Sequence, residues 1–441
     1  MNYFTDFAFY RRFACALLIL VPATFSLRAQ QELTLQEALA QAHNNQLYQA
    51  RLEQIEVLKG KLQQAGRRPN PHFESEFETG ALWEDSNDYL LSLVLSQTWE
   101  RGGKRDLRQQ IAQADLEQAS LEADDYLRVL TSNIRLAFVE LLQLQRQVSL
   151  LDTHAERIDR VLQFDQVRVR EGEIPSLNPE YLRAELTELA AQRGEFVTQR
   201  YQVQYQLNAL MGAPVETAYV AVEEETQEIT LPSVADILRF ASRNRSDLRK
   251  LRSVIQQADL RISMERAVAK RDWDLGLGYH RIRGSLNSND FLPGGIIDSA
   301  DSSSNLLEMR LTIPLSLWDD NSGNLSAAIA AKSVRERELA HAEILVQSEV
   351  LSAYQEYQFN QQRGELYRQN LVPKLEENLQ RLEAAYQLTG EAVSEWLGTQ
   401  REFLYAALQG LQADFHSRES VVKLEQAMGG SLEEVTQAPS P

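Results

Sequence analysis

The chain has a single cysteine, Cys15, and it lies in a segment with the marks of an export signal. Arg11 and Arg12 precede the apolar run 13–21, and the small Ala29 stands where cleavage is expected. A positive flank, a short apolar core and a small terminal residue describe a secretory signal peptide, so residues 1–29 are expected to be removed. The remainder then has no thiol, which excludes disulfides, cysteine-ligated zinc and cysteine nucleophiles together. No later segment has 18 or more consecutive apolar residues, so no transmembrane helix is expected.

Positive charge is also scarce. The chain carries a formal charge of −18, and removing residues 1–29, whose Arg11, Arg12 and Arg28 outweigh Asp6 by two, leaves −20. That balance argues against a nucleic-acid partner. No two of the six histidines (His43, His72, His154, His280, His341 and His416) lie three or four residues apart with a carboxylate in zinc-ligand spacing. There is no nucleophile elbow, P-loop or dinucleotide fingerprint, so no catalytic residue, cofactor or metal site is expected and the chain does not read as an enzyme.

Glycine and proline are absent from Lys104 to Glu171, a stretch rich in Leu, Gln, Ala, Glu and Arg. These are good helix formers, and a helix of that length would reach roughly 100 Å. Leu127, Leu130, Ile134, Phe138, Leu141, Leu142 and Leu150 recur at steps of three and four, the narrow seam of a coiled coil. A second long helix is expected from about Asn324 to Thr389, with Pro373 kinking it. Each ends at a small-residue tip, Glu171-Gly172-Glu173 through Leu177, or Gly390-Glu391 through Val393, Ser394 and Glu395. A further helix follows each tip, 179–210 and 394–428, making two long antiparallel hairpins.

An internal repeat is expected. Leu39-x-x-Ala42-x-x-Asn45 recurs as Leu238-x-x-Ala241-x-x-Asn244, and each copy continues as helix, strand pair, long helix, tip and second helix. The first repeat is placed at 30–211, a linker at 212–232, the second repeat at 233–428 and a flexible tail at 429–441.

Four strands are expected at 71–80, 89–99, 274–283 and 307–316. In the first, Phe73 and Phe77 oppose His72, Glu74, Glu76 and Glu78; in the second, Leu91, Leu93 and Leu95 oppose Ser92 and Ser96. In the fourth, Leu307, Met309 and Leu311 oppose Glu308, Arg310 and Thr312. Ten-residue strands, apolar outside and polar inside, are the pattern of a membrane β-barrel, although a half-buried soluble sheet alternates in the same way. Four strands cannot close a barrel, and lipid does not tolerate an open edge. If these strands enter a membrane, the chain must oligomerise. His72, Glu74, Glu76, Glu78, Glu308 and Arg310 would then line the lumen, as a solvated polar wall or as a cation-attracting ring.

Several segments together resemble the outer membrane efflux protein family, to which TolC belongs. They are Gln64-Ala-Gly-Arg-Arg-Pro-Asn-Pro71, Ser96-Gln-Thr-Trp-Glu-Arg-Gly-Gly-Lys-Arg105, Asn244-Arg-Ser-Asp-Leu248 and Leu311-Thr-Ile-Pro-Leu-Ser-Leu-Trp-Asp-Asp-Asn-Ser-Gly-Asn324. The Gly-Gly-Lys-Arg and Asn-x-Gly-Asn segments are most similar to the CzcC-like cation-efflux branch. The resemblance implies a mainly α protein with a membrane β-barrel: a homotrimer whose hairpins build a periplasmic α-barrel and whose strands build one outer-membrane barrel. It implies a passive conduit in the outer membrane with a large periplasmic portion. Its partners would be a periplasmic adaptor (membrane fusion protein), an inner-membrane pump of the resistance-nodulation-division type and outer-membrane lipid, with heavy-metal cations or drugs as cargo. It also implies that the tips, at Glu171, Gly172, Glu173, Leu177, Gly390, Glu391, Val393, Ser394 and Glu395, close the periplasmic entrance and meet the adaptor. The outer channel of a type I protein-secretion system and a non-channel coiled-coil scaffold are the alternatives.

Overall fold

The structure is a computed structural model that describes residues 31–79, 89–223, 231–283, 303–389 and 393–437. The expected signal peptide and the tip residues Gly390 and Glu391 lie outside the described residues.

The chain opens with β1 (Gln31–Leu33), α1 (Leu35–Ala40) and α2 (Gln46–Ala65). Thr34 and Glu37 form a reciprocal capping box at the start of α1, and the Asn45 side chain accepts from the amides of Leu47 and Tyr48 to start α2. A hairpin of β2 (His72–Thr79) and β3 (Tyr89–Trp99) leads into α3 (Lys104–Arg170), a single helix of 67 residues. Then α4 (Asn178–Met211) runs back along it. After β4 (Tyr219–Ala221) come α5 (Val234–Asn244), α6 (Ser246–Val268), β5 (Trp273–Arg283) and β6 (Ser304–Thr312). The second long arm is α7 (Ser322–Leu366), a π-helical stretch at Tyr367–Leu371 and α8 (Val372–Thr389). It is followed by α9 (Val393–Met428) and α10 (Leu432–Gln437).

The π-helical stretch answers the expectation of a kink. Pro373 has no N–H for the carbonyl four residues earlier, and the backbone widens just before it.

Three expectations are corrected. The fourth strand spans Ser304–Thr312 rather than 307–316, because Pro314 cannot donate to a ladder and β6 ends before it. The segment at 429–441 is not simply a flexible tail: Leu432 and Val435 of α10 are buried against Ile237, Ala241, Val346 and Leu424. The segment at 212–232 is more than a linker, since β4 pairs in parallel with β1 and buries Tyr219 and Ala221 beside Leu33.

The core is linear. The seam of α3 (Leu130, Ile134, Phe138, Leu141, Leu151 and Ile158) is buried along its length. One end of the core gathers β1, β4 and the neighbouring parts of α3 and α4. A second part joins α3 and α4 to α8 and α9 through Leu162, Leu182, Leu379, Trp396 and Phe403. Ala42 and Ala241, the small residues of the repeated motif, are both fully buried.

Only Glu100–Gly103 separate β3 from α3, so the sheet sits at the start of α3 and the Gly172 tip at its far end, roughly 100 Å away. Sheet and tip are therefore the two ends of an elongated chain.

Candidate functional site

The four-stranded sheet runs β2-β3-β5-β6, antiparallel throughout. Its register decides what each face presents, because directly opposed residues share a face and a slip of one residue would exchange the faces. Phe73 opposes Leu95, Leu95 opposes Leu277 and Leu277 opposes Met309. The next row is Ser75, Leu93, Tyr279 and Leu307. One face is thus apolar across all four strands, and it is uncovered: Met309 is 85% exposed, Leu307 75% and Phe73 66%. A contiguous apolar surface of this kind marks a membrane or protein interface.

Aromatic rings mark both ends of that face. Phe77 stacks on Tyr89 at the end away from the helices, while Trp99 opposes Trp273 at the helical end. Trp318, just past β6, is 95% exposed. Aromatic girdles flanking an apolar band are the pattern of a membrane barrel wall.

The opposite face is polar. It carries the row His72, Ser96, Gly276 and Arg310, then Glu74, Val94, Gly278 and Glu308, then Glu76, Ser92, His280 and Leu306. All six lumenal candidates, His72, Glu74, Glu76, Glu78, Glu308 and Arg310, fall on this face. Reading the sequence as separate strands missed the contact of His280 with Glu308 (Nε2 to Oε2, 2.6 Å), whose carboxylate also accepts from Arg310 at 2.9 Å. Gly278 leaves room for this pair. A Cβ at Gly278 would come within 3.0 Å of the His280 ring nitrogen and 3.1 Å of the Glu308 carboxylate.

Among the described residues no cluster of three or more potential ligands could hold a metal ion. No described helix is long and apolar enough to cross a membrane.

At the other end, α3 stops in a full Schellman turn. Gly172, with φ +79°, donates to the Val169 carbonyl, and the Glu173 amide donates to Arg168. The apolar contact that often closes such a turn is replaced by an ion pair, Arg168 Nε to Glu173 Oε2 at 2.9 Å. Glu173 is thereby paired with the last turn of the helix it follows. Glu171, Ser394 and Glu395 are exposed, as is Leu177, whereas Val393 is buried. Val393 therefore packs the tip core and is not offered to a partner.

Above the tips, polar links join the first hairpin (α3, α4) to the second (α8, α9). The Tyr386 hydroxyl donates to Asp165, which is wholly buried. Burial pushes the Asp165 carboxyl up, and burial together with that carboxylate pushes the Tyr386 phenol up, so the tyrosine stays a neutral donor. Tyr386 also stacks on Trp396, with ring centroids 5.9 Å apart. The Gln400 side chain meets His154 Nδ1, and burial, with Arg157 nearby, lowers the imidazole to about 4. Arg401 donates to the buried Glu185 at 2.7 Å.

Residues 238–430 match the model of the outer membrane efflux protein family. That match covers the second hairpin and its strands, and proteins of this family are channels rather than enzymes. Among solved structures, CusC, described for conformational changes accompanying folding and transmembrane channel formation, is similar at a TM-score of 0.72 and 17% identity. The likeness covers 96% of this chain and 99% of that one. The open state of the Neisseria gonorrhoeae MtrE outer membrane channel is similar at 0.69 and 16% identity, over 90% and 89% of the two chains. The Vibrio cholerae outer membrane protein VceC gives 0.68 and 16%, over 90% and 96%. At such identities the likeness establishes the fold, and it does so over at least 90% of the chain. No curated protein matches in sequence.

Proposed function

We propose that the whole chain is an outer-membrane efflux channel subunit, a passive conduit from periplasm to exterior. One observation carries this reading: the register aligns the apolar faces of four strands into one bare surface and leaves β2 and β6 as free edges. A bare apolar face is stable in lipid, but a free edge is not, because its backbone groups have no water there. Both conditions are met if β6 of one copy pairs with β2 of the next. Three copies then give twelve strands, within the range of known membrane barrels. The family match and the resemblance to TolC favour this trimer, with the hairpins forming a periplasmic α-barrel below it. We read the two halves of the chain as repeats that supply alternate strand pairs and hairpins.

In this assembly the tips converge on the axis and meet a periplasmic adaptor, and an inner-membrane pump supplies the energy and selects the cargo. The Gly-Gly-Lys-Arg segment ending at Arg105 and the acidic row Glu74, Glu76 and Glu78 favour heavy-metal cations over neutral drugs. A soluble scaffold is disfavoured, since nothing among the described residues covers the exposed Met309, Leu307 and Phe73.

The test is light scattering on protein purified in detergent, with refractive index used to subtract the micelle. A protein mass of three chains, released to monomers by boiling, supports the reading. A stable monomer that floats with vesicles would contradict it.

A further inference from the structure

The helical end of the sheet carries cations that the protein itself does not neutralise. Between the apolar face and the helices lie Arg67, Arg68, Arg101 and Lys270, all exposed. The acidic groups nearby are already engaged. Glu100 is held by Arg108, Asp272 by Lys104 and Asp319 by Arg271, while Asp106 pairs with Arg105. Asp274 accepts from the Thr98 hydroxyl and Asp320 from the Ser322 amide. Among the described residues, the side chains of Arg67, Arg68, Arg101 and Lys270 have no carboxylate partner; Arg101 reaches Asp272 only through its backbone amide, at 2.8 Å. Basic side chains outnumber acidic ones in this narrow belt, within a chain whose formal charge is −18.

The belt is also built for an interface. The Arg101 guanidinium lies 4.2 Å from the centroid of the Trp273 ring, which opposes Trp99 at the edge of the apolar face. A cleft of about 340 Å³ opens beside it, lined by Arg68, Trp99, Glu100 and Arg105. Tryptophan at the border of an apolar band sits at headgroup level, and exposed arginine there meets phosphate.

We infer that this belt binds the phosphate of anionic phospholipids in the leaflet nearest the helices. The inference rests on the sheet standing in a membrane, as proposed above. It adds a headgroup preference, carried chiefly by Arg67, Arg68 and Arg101. A basic residue close to an anionic surface is worth on the order of a fivefold change in binding, so the three together should exceed tenfold.

The experiment uses the full-length protein with an equal mixture of phosphatidylglycerol and phosphatidylcholine. Retained lipid is counted by native mass spectrometry, after flotation with vesicles has established insertion. The wild type should retain phosphatidylglycerol preferentially. The triple variant Arg67→Gln, Arg68→Gln, Arg101→Gln should insert but lose that preference by about tenfold or more, and the corresponding triple lysine variant should keep it. Insertion with no headgroup preference in the wild type, or a preference unchanged in the glutamine variant, would overturn this inference alone. Failure of the wild type to insert would overturn it together with the membrane reading on which it rests.

Discussion

Tyr386 on α8 and Asp165 on α3 are joined by a buried hydrogen bond that ties the second hairpin to the first just above the tips. Asp165 Oδ1 has no hydrogen-bond partner, so the carboxyl depends on the tyrosine hydroxyl at Oδ2. Removing that hydroxyl leaves a buried carboxyl unsatisfied, a loss of about 1–3 kcal/mol. Tyr386→Phe should therefore loosen the tip half of α8 without affecting the sheet. Amide hydrogen exchange should rise in peptides covering 379–389 and stay constant across β3 and β5. Equal exchange in both proteins would show that the link holds nothing in place.

His154 gives the same region a pH dependence of defined sign. Its folded value is lowered to about 4 by burial, against an unfolded value near 6.5. A lowered histidine contributes stability that is complete above about pH 6.5 and is lost as pH falls towards 4, because only the unfolded chain takes up the proton. The loss would reach about 3 kcal/mol at most. Thermal midpoints measured from pH 7.5 to 4.5 should fall more steeply in the wild type than in His154→Leu. Parallel curves would remove His154 as the source.

Much of this was legible in the sequence. The long helices, the tips and the alternation in the strands follow from residue spacing that tertiary contacts do not override, because an elongated chain has few of them to compete. Asp165 was also within reach: it continues the buried run Ile158, Val161 and Leu162 at a step of three, where a carboxylate is out of place and needs a partner. Its partner Tyr386, seven residues after the buried Leu379, lies more than 200 positions further along, and no spacing rule connects them. The His280–Glu308 contact was hidden for a related reason, since it exists only once β5 and β6 are in register. The burial of α10 was missed because its short sequence carries no helical period long enough to read.

The tip carboxylates separate into two kinds. Glu173 is paired with Arg168, whereas Glu171 and Glu395 are exposed and carry no ion pair among the described residues. If symmetry gathers copies of these two around one axis, they form a cation-selective ring that multivalent cations bridge. The Glu171→Gln, Glu395→Gln double variant should show weaker block by divalent cations in single-channel recordings than the wild type. Glu173→Gln should change the block less. The reverse order would contradict this division.

The sheet faces predict unequal tolerance of charge. Leu93 lies on the apolar face of a central strand, and arginine there should cost roughly 2–4 kcal/mol if it meets lipid near the midplane. Glu76→Arg, on the polar face of the neighbouring strand, should assemble almost normally. The readout is the yield of heat-modifiable oligomer in the membrane fraction, and equal yields would mean that neither face meets lipid.

The most direct measurement uses thiol chemistry, which the chain permits because its one cysteine, Cys15, lies in the segment expected to be removed. Single cysteines are placed at adjacent positions of β2, Glu76→Cys and Phe77→Cys, and the protein is inserted into vesicles. A charged, membrane-impermeant maleimide is then added. Glu76 and Phe77 are both exposed in the isolated chain, so reactivity in the membrane reports only what each face meets there. An outer-membrane barrel with a water-filled lumen predicts fast labelling at position 76 and strong protection at 77, with the difference abolished in denaturant. Equal labelling at both positions in intact vesicles would contradict it.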